Sequence, residues 1–191
     1  MAPSPAQAPR ILAFGASSSR HSINKALVTH AAERLQGELP DAVVEIIDLN
    51  DYEMPIYSTD REKAGGIPPQ ARRFYDQIGK ADALLISYAE HNGNYTAAFK
   101  NLFDWTSRIN AKVFQQRPMV VLATSPGGRG GSGVLRLALE SAPHFGAEVV
   151  AHLSVPRFQN CFDLEAGQLT DPELSQRLGD VLEQLASRLR Q

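Results

Sequence analysis

The sequence has a single cysteine and a nearly balanced charge. Cys161 has no second cysteine to pair with, so the chain cannot form an internal disulfide and lacks the CxxC spacing of redox and zinc sites. Lysine and arginine (19) and aspartate and glutamate (21) give a formal net charge of −2. This charge argues against the basic surface that nucleic-acid-binding proteins carry. We expect a small-molecule partner, no nucleic acid, and a reducing, cytoplasmic location.

Long hydrophobic runs are also missing. No apolar run approaches the roughly 20 residues that a membrane-spanning helix needs, and the opening MAPSPAQAP has no apolar stretch of the kind found in signal peptides. We therefore expect no membrane span, a disordered tail over residues 1–9 and one domain over residues 10–191. A hydrophobic share of 43% is enough for one sizeable core in a chain of 191 residues.

Short apolar runs rich in Val, Ile and Leu alternate with segments of helical periodicity. The apolar runs cover residues 10–14, 43–48, 83–88, 119–124 and 148–153. The helical segments lie around residues 23–35, 71–78, 99–105, 134–139 and 174–189. Alternating strands and helices, with strands apolar enough to be covered on both faces, predict an α/β fold with a five-stranded parallel sheet and helices on both faces.

The stretch GASSSRHSIN, residues 15–24, lies where the first predicted strand gives way to the first helix. Ligands of open α/β sheets bind at the carboxyl ends of the strands, where helix N-termini present free N–H groups and a positive dipole end. Ser22 alone would simply cap the helix. Five serine or asparagine side chains in eight residues, however, favour an anion site, because they add hydrogen-bond donors for phosphate oxygens.

Two common phosphate motifs are absent from the chain. There is no GxxxxGK[ST] of the P-loop and no GxGxxG of dinucleotide-binding folds, so a monophosphate held largely by hydroxyls remains. Polar loops at residues 89–101 and 124–133 follow the third and fourth predicted strands at the same sheet edge. Their glycines allow close backbone approach to a flat heterocycle at the far end of such a ligand.

These motifs resemble the NADPH-dependent FMN reductase family of flavodoxin-like quinone, chromate and azo-dye reductases, from about Ile11 to His152. That family has a Gly-Ser loop ending in Ser-x-Asn after the first strand, matched here by residues 17–24. After the third strand it has Pro-Glu-Tyr-Asn-Gly, matched by Ala-Glu-His-Asn-Gly at residues 89–93. Lys100-Asn101, followed by the pair Asp104-Trp105, continues the match.

The resemblance implies where FMN binds. The phosphate loop would hold the phosphate, the loop after the third strand would face the flavin ring, and the loop after the fourth would close over its pyrimidine end. The residues so implied are Ser17, Ser19, Arg20, Ser22, Ile23 and Asn24 at the phosphate, Glu90, His91, Asn92 and Gly93 at the ring, and Thr124, Ser125, Pro126, Gly127 and Gly128 at the pyrimidine end.

The same resemblance implies an NAD(P)H-dependent oxidoreductase that relays hydride through bound FMN to quinones or similar acceptors such as chromate and azo compounds. Because FMN carries the electrons, we expect no catalytic side chain. One alternative is a flavin reductase that releases reduced FMN to a partner monooxygenase. A flavodoxin-like electron carrier is less favoured, since such carriers tend to be strongly acidic. Arg129 fits a nucleotide 2′-phosphate ligand and a solvated arginine equally well, so the preference between NADPH and NADH stays open.

Other notable residues have simpler explanations. His30, His144 and His152 are scattered without metal-ligand spacing, so no metal site is expected. Trp105 lies at helical spacing and fits a core or subunit contact, and the resemblance implies a homodimer or homotetramer. Residues 51–67 form either a mobile lid over the nicotinamide or a simple surface loop.

Overall fold

A five-stranded parallel sheet forms the centre of the computed structural model, which describes residues 8–191. The strand order is β2-β1-β3-β4-β5 and each pairing is parallel. This is the flavodoxin-like order, so the predicted fold class is confirmed. The strands are β1 (Arg10–Ala16), β2 (Val43–Ile46), β3 (Ala83–Ala89), β4 (Arg117–Thr124) and β5 (Ala147–Val155).

Helices cover both faces of the sheet. One face carries α1 (Ile23–Glu38) and α7 (Pro172–Leu189), and the other carries α3 (Pro69–Lys80), α4 (Ala97–Ser107) and α5 (Ser132–Ser141). No helix within residues 8–191 is both long and apolar enough to cross a membrane. The shorter elements are a 3-10 helix (Leu49–Tyr52), α2 (Thr59–Gly65), α6 (Phe158–Cys161) and a hairpin of β6 (Phe162–Asp163) and β7 (Gln168–Leu169).

The central strands are apolar throughout because each contributes to two cores. In β1, Ile11 and Ala13 pack with α1 and α7, whereas Leu12 and Phe14 pack with α3 and α4. All seven residues of β3 are buried. The edge strand β2 differs, since Val43 there is 50% exposed. The apolar runs therefore predicted the strands well.

Two parts of the chain behave differently from the expectation drawn from sequence. Of the predicted tail, residues 1–7 lie outside the described residues, while the Pro9 carbonyl accepts the N–H of Val43 at 2.8 Å. Residues 51–67 include the end of the 3-10 helix and all of α2. This segment is therefore folded. Its short helix has no apolar periodicity from which it could be predicted, and it is capped by Ser58, whose side chain accepts from the N–H of Arg61.

The N-terminus of α1 lies directly against the end of β1. A Cβ atom added at Gly15 would lie 2.7 Å from the backbone N of Lys25 and 2.9 Å from its Cα. Both atoms belong to the helix backbone, so they can move only if the helix shifts. The glycine thus brings the first turn of α1 close to the sheet edge, and this places the loop between them over the carboxyl ends of the strands.

We predict that Gly15→Ala lowers the free energy of unfolding by about 1–3 kcal/mol, the usual cost of overpacking a closely packed site. The measurement is urea unfolding followed by circular dichroism. Gly37→Ala is the matched control, because Gly37 lies in α1 with no atom within 4 Å of an added Cβ. That variant should gain up to about 1 kcal/mol from helix propensity. Equal stabilities of the two variants would contradict the close approach.

Candidate functional site

The loop between β1 and α1, which we call the phosphate loop (residues 17–22), presents several hydrogen-bond donors at the sheet edge. Ser22 caps α1, since its Oγ accepts from the N–H of Lys25 at 3.2 Å. Ser17 is buried, and its Oγ accepts from the N–H of Ser19 at 3.2 Å. Ser19 and Arg20 are exposed. Two of the predicted serines therefore shape the loop with their side chains.

The backbone of this loop supplies the free donors. Among the described residues, the N–H groups of Ser18 and of residues 20–24 have no acceptor. They precede or begin α1, where the helix dipole favours negative charge. Residues 17–24 carry no carboxylate. The arrangement can bind an anion such as a phosphate group through N–H groups and hydroxyls.

Asn24 has a different role from the one its motif predicts. Its side chain is buried, and its Nδ2 donates to the Thr124 carbonyl at 3.1 Å. Its Oδ1 accepts from the N–H of Thr124 at 3.1 Å and from Ser87 Oγ at 2.8 Å. The side chain therefore joins α1 to β3 and β4. The predicted contact of Asn24 with phosphate stays a prediction, and its backbone N–H in the first turn of α1 is available for it.

A tight turn follows β3. His91 and Asn94 exchange backbone hydrogen bonds of 3.0 and 3.1 Å, and the two residues between them, Asn92 and Gly93, both have positive φ (54° and 76°). Asn-Gly is the pair that such a type I′ turn favours. His91, Asn92 and Gly93 are exposed, and the N–H groups of Asn92 and Gly93 have no acceptor within residues 8–191. Both groups are thus free for a ligand.

Glu90, just before this turn, is used structurally. Its Oε2 accepts from the N–H of Val134 at 2.9 Å, in the first turn of α5. A carboxylate at this place satisfies one of the free N–H groups of the helix and interacts favourably with its dipole. The side chain therefore holds the start of α5, and the predicted contact of Glu90 with a flavin stays a prediction.

The loop after β4 completes this edge. Thr124 is buried and its Oγ1 donates to the Val155 carbonyl at 2.7 Å, while Pro126, Gly127 and Gly128 are exposed and Ser125 is partly so. The loop lies close to the end of β5. An added Cβ at Gly130, which has a φ of +57°, would lie 2.4 Å from Ser154 Oγ. The predicted residues after β4 thus come to the same edge as the phosphate loop.

The residues just after β5 also hold this loop in place. The N–H groups of Arg157 and Phe158 donate to the carbonyls of Gly127 and Ser125, at 3.0 and 3.2 Å. Arg157 adopts a left-handed conformation with a φ of 48°. Its guanidinium lies 3.5 Å from where a Cβ of Gly128 would be.

An ion pair fixes the other side of the phosphate loop. Lys25 Nζ donates to Asp48 Oδ2 between α1 and the end of β2. The hydrogen bond from Lys25 lowers the pKa of Asp48, so the carboxylate stays ionised well below neutral pH and the pair is lost only as the pH falls through that lowered value. The positive charge of Lys25 is thereby neutralised by Asp48. Arg20 has no carboxylate partner among residues 8–191 and remains the cation of this loop.

Residues 54–57, which we call the strap, are fastened to α4. Asn101 Nδ2 donates to the carbonyls of Met54 and Pro55, at 3.1 and 3.2 Å, and its Oδ1 accepts from the N–H of Tyr57 at 2.8 Å. Trp105 Nε1 donates to the Pro55 carbonyl at 2.7 Å. The strap, which lies within the segment predicted to be a lid or a loop, is therefore held in place by hydrogen bonds from two side chains of a helix.

Among the described residues, no group of three or more His, Cys, Asp or Glu side chains is arranged to hold a metal ion. His144 and His152 are exposed, and His30 is half-buried on α1. Burial is the main cause that lowers the pKa of His30. His30, His144 and His152 therefore form no ligand cluster.

This geometry can be compared with known proteins. The family model for NADPH-dependent FMN reductases matches residues 9–159 of the chain. The chain belongs to this family. Membership confirms the predicted oxidoreductase class and its use of FMN with NAD(P)H. The assignment of individual residues to FMN stays a prediction.

Two relatives and one solved structure illustrate the match. The chain is 28% identical over 176 residues to the NADPH:quinone oxidoreductase of Arabidopsis thaliana, covering 91% of this chain and 88% of that protein. It is 33% identical over 159 residues to an NAD(P)H-dependent FMN reductase of Pseudomonas aeruginosa, covering 79% and 82%. A flavoenzyme NAD(P)H:(acceptor) oxidoreductase from Paracoccus denitrificans has the same fold, with a TM-score of 0.71, 22% identity and coverage of 94% and 96%.

Several residues that hold this edge of the sheet together were not predicted. Ser87 contacts Asn24, and Thr96 Oγ1 donates to the Ala16 carbonyl at 2.9 Å while capping α4. Asn101 belonged to the matched motif but received no role. A buried serine within an apolar strand was the one available signal for Ser87. The contacts of Asn101 join segments 44 to 47 residues apart and leave no local pattern.

We predict that Asn24→Ala lowers the free energy of unfolding by about 2–4 kcal/mol. The change leaves the backbone groups of Thr124 and the Ser87 hydroxyl without partners, and each buried unpaired group costs about 1–3 kcal/mol. Urea unfolding measures the loss. Asn160→Ala is the control, because Asn160 is exposed on α6. An Asn24→Ala protein as stable as the control would mean that the bridge contributes little.

Proposed function

We propose that the chain binds FMN at the carboxyl edge of its sheet and reduces quinones or similar acceptors, including chromate and azo compounds, with NAD(P)H. The observation that carries the proposal is the set of free N–H groups at the start of α1, beside further free N–H groups after β3. The names of the relatives, an NADPH:quinone oxidoreductase and an NAD(P)H-dependent FMN reductase, support the same activity.

The donor set fits FMN at both ends. A phosphate dianion needs several donors and no unpaired carboxylate close by. Residues 17–24 supply the donors and carry no carboxylate, and the adjacent Asp48 is paired with Lys25. The pyrimidine end of a flavin carries carbonyl and ring nitrogen acceptors, which suit the free N–H groups of Asn92 and Gly93 and the exposed backbone of residues 126–128. Most of these contacts involve the backbone, so they depend on loop conformation more than on side-chain identity.

We propose a role for each predicted residue and for Ser18, which was not among them. At the phosphate, Ser18, Ile23 and Asn24 contribute N–H groups, Ser19 and Ser22 contribute hydroxyls, and Arg20 contributes charge. Ser17, Glu90 and Thr124 act indirectly. Their side chains hold the phosphate loop, the start of α5 and the end of β5 in place by hydrogen bonds. The remaining residues present backbone or exposed side chains to the ring, and they are His91, Asn92, Gly93, Ser125, Pro126, Gly127 and Gly128.

The protein contributes binding, orientation and access. Bound FMN supplies two-electron hydride chemistry between a nicotinamide cofactor and an acceptor. Positive backbone dipoles from the loops after β3 and β4 favour negative charge on a ring held between them. We assign no proton transfer to a side chain. The absence of a catalytic side chain, the cytoplasmic location and the single domain over residues 10–191 stay predictions.

An apolar groove between α4 and α5 supports a homodimer or homotetramer. The groove has a volume of about 320 Å³ and is lined by aromatic side chains, of which Tyr95, Phe103 and Phe145 are half-buried. Leu137 lies on its rim and is only partly buried. Apolar surface of this kind marks protein contacts, and we assign it to a second copy of the chain.

We predict that the protein sediments at a multiple of 20.9 kDa, and that Leu137→Glu shifts it toward the monomer because a carboxylate would be buried without a partner. Arg136→Gln is the control. It makes the same change in net charge on the exposed neighbouring position of α5. A monomeric wild type, or equal dissociation of both variants, would reject the groove as the interface.

The phosphate loop is tested by Ile23→Pro, which removes one N–H at the first position of α1. Proline is tolerated there, and Ser22, with φ −68° and ψ 120°, already has the conformation that precedes proline. Ile23→Ala is the control, since it loses the same side chain and keeps the N–H. The dissociation constant of FMN should rise by about five- to 150-fold in the proline variant only, from roughly 1–3 kcal/mol per lost donor.

The activity is tested by loading the protein with FMN, removing free flavin by gel filtration and assaying NADPH-dependent reduction of a quinone. We expect retained FMN and turnover. Loss of FMN during filtration, with NADPH-dependent reduction of added FMN, would instead indicate the flavin reductase alternative. A protein that neither binds FMN nor accelerates its reduction would overturn the proposed function, and equal FMN affinity in both Ile23 variants would overturn the phosphate assignment.

A further inference from the structure

A cleft of about 330 Å³ opens between the strap and the first turns of α4. Ser18 of the phosphate loop lines it, and Ala97 and Ala98 form the α4 side. Its volume lies within the range of small-molecule sites. None of its described lining residues belongs to the loops at 90–93 or 124–128. The cleft therefore adjoins the phosphate loop and is separate from the loops proposed to hold the flavin ring.

The strand order places this cleft across the phosphate loop from the ring loops. In the sheet, β1 lies between β2 and β3. The loops proposed to hold the ring follow β3 and β4, whereas residues 49–56 of the cleft follow β2. FMN ends at its phosphate. A flavin therefore reaches the β2 side only through a further group joined to that phosphate.

The outer wall of the cleft is held by hydrogen bonds from α4. Asn101 Nδ2 donates to the carbonyls of Met54 and Pro55. Its Oδ1 accepts from the N–H of Tyr57. Ile56, on the same wall, is 73% exposed. A large apolar side chain on a backbone that is already ordered can cover a flat ligand at little cost in entropy.

The lining mixes apolar and polar groups and carries a negative charge. Leu49, Met54 and Ile56 supply apolar surface. Asn50 and Glu53 are exposed polar side chains, and no Lys, Arg or His stands among the described residues of the lining. A phosphate group inside the cleft would meet a like charge. A nucleoside suits the lining better, because its base is flat and its neutral sugar has hydroxyls that donate to a carboxylate.

We propose that this cleft receives the adenosine of FAD, so that the protein binds FAD as well as FMN. The inference rests on the proposed function, because it needs the flavin phosphate at the phosphate loop. The diphosphate of FAD carries about as much negative charge as the phosphate of FMN, so the free N–H groups of the loop suit both. Ile56 covers the adenine, and Glu53 accepts from the ribose hydroxyls.

The site is tested by filling the cleft with Ala97→Phe. Ala97 is exposed at the start of α4 and lines the cleft, so the larger side chain takes up its space without entering the core. Isothermal titration calorimetry of the flavin-free protein measures both flavins. The dissociation constant of FAD should rise by about tenfold or more, and that of FMN should stay within about twofold. Ala166→Phe, at an exposed position between β6 and β7, is the control and should change neither.

The apolar contact is tested by Ile56→Ala. This variant removes a side chain that packs little in the free protein, so it leaves the fold unchanged. Leu164→Ala is the matched control, because Leu164 is 65% exposed and does not line the cleft. The dissociation constant of FAD should rise by about three- to tenfold in the Ile56 variant only, from the apolar area that adenine covers there. Neither variant should change the affinity for FMN.

The outcomes separate the two proposals. If the wild type binds neither FMN nor FAD, the proposed function falls and the adenosine site falls with it. Binding of FMN without FAD overturns the adenosine site alone. So does an FAD affinity that the Ala97 and Ile56 variants leave unchanged, or that the control variants change equally. A KM for NADH that rises in FMN-loaded Ala97→Phe, with FAD affinity unchanged, would overturn it in favour of the adenosine of the nicotinamide cofactor.

Discussion

The hydrogen bonds of one buried amide, Asn24, connect the sheet to the candidate site. This side chain pairs with both backbone groups of Thr124 and with Ser87 Oγ, so α1, β3 and β4 are tied together just below the edge where their loops begin. A buried asparagine is costly unless its donors and acceptors are paired. Because pairing requires all three elements in register, the same contacts that stabilise the core also fix where the phosphate loop lies relative to the loop after β4.

The proposed site is therefore made mostly of backbone. Side chains that sequence motifs place in such a site, among them Glu90 and Asn24, hold loops and helix ends, while free N–H groups face the solvent. N–H groups at a helix start are oriented before any ligand arrives, so little ordering is needed when an anion binds. The proposed site therefore owes its shape to the backbone, which these side chains hold in place.

The sequence predicted the fold closely and the site in part. Apolar runs covered on both faces predicted all five strands, because that signal is local. The cluster of serines is a local signal too, and it predicts an anion site in the loop between β1 and α1. The partners of Asn24 lie 63 and 100 residues away, and that of Glu90 lies 44 residues away. No local pattern encodes such contacts. For the same reason residues 51–67 appeared to be a lid or a loop, although α4 fastens the strap by hydrogen bonds.

The two ends of the region differ in electrostatic character, and this difference has a physical consequence. At the phosphate loop, free N–H groups and Arg20 attract negative charge, whereas the neighbouring Glu53 carries an exposed carboxylate. Lys25 adds little to the positive potential of this region, because its charge is paired with that of Asp48. A ligand with an anionic group is therefore favoured at the phosphate loop and disfavoured beside Glu53, so the charges of this sheet edge favour one orientation of such a ligand.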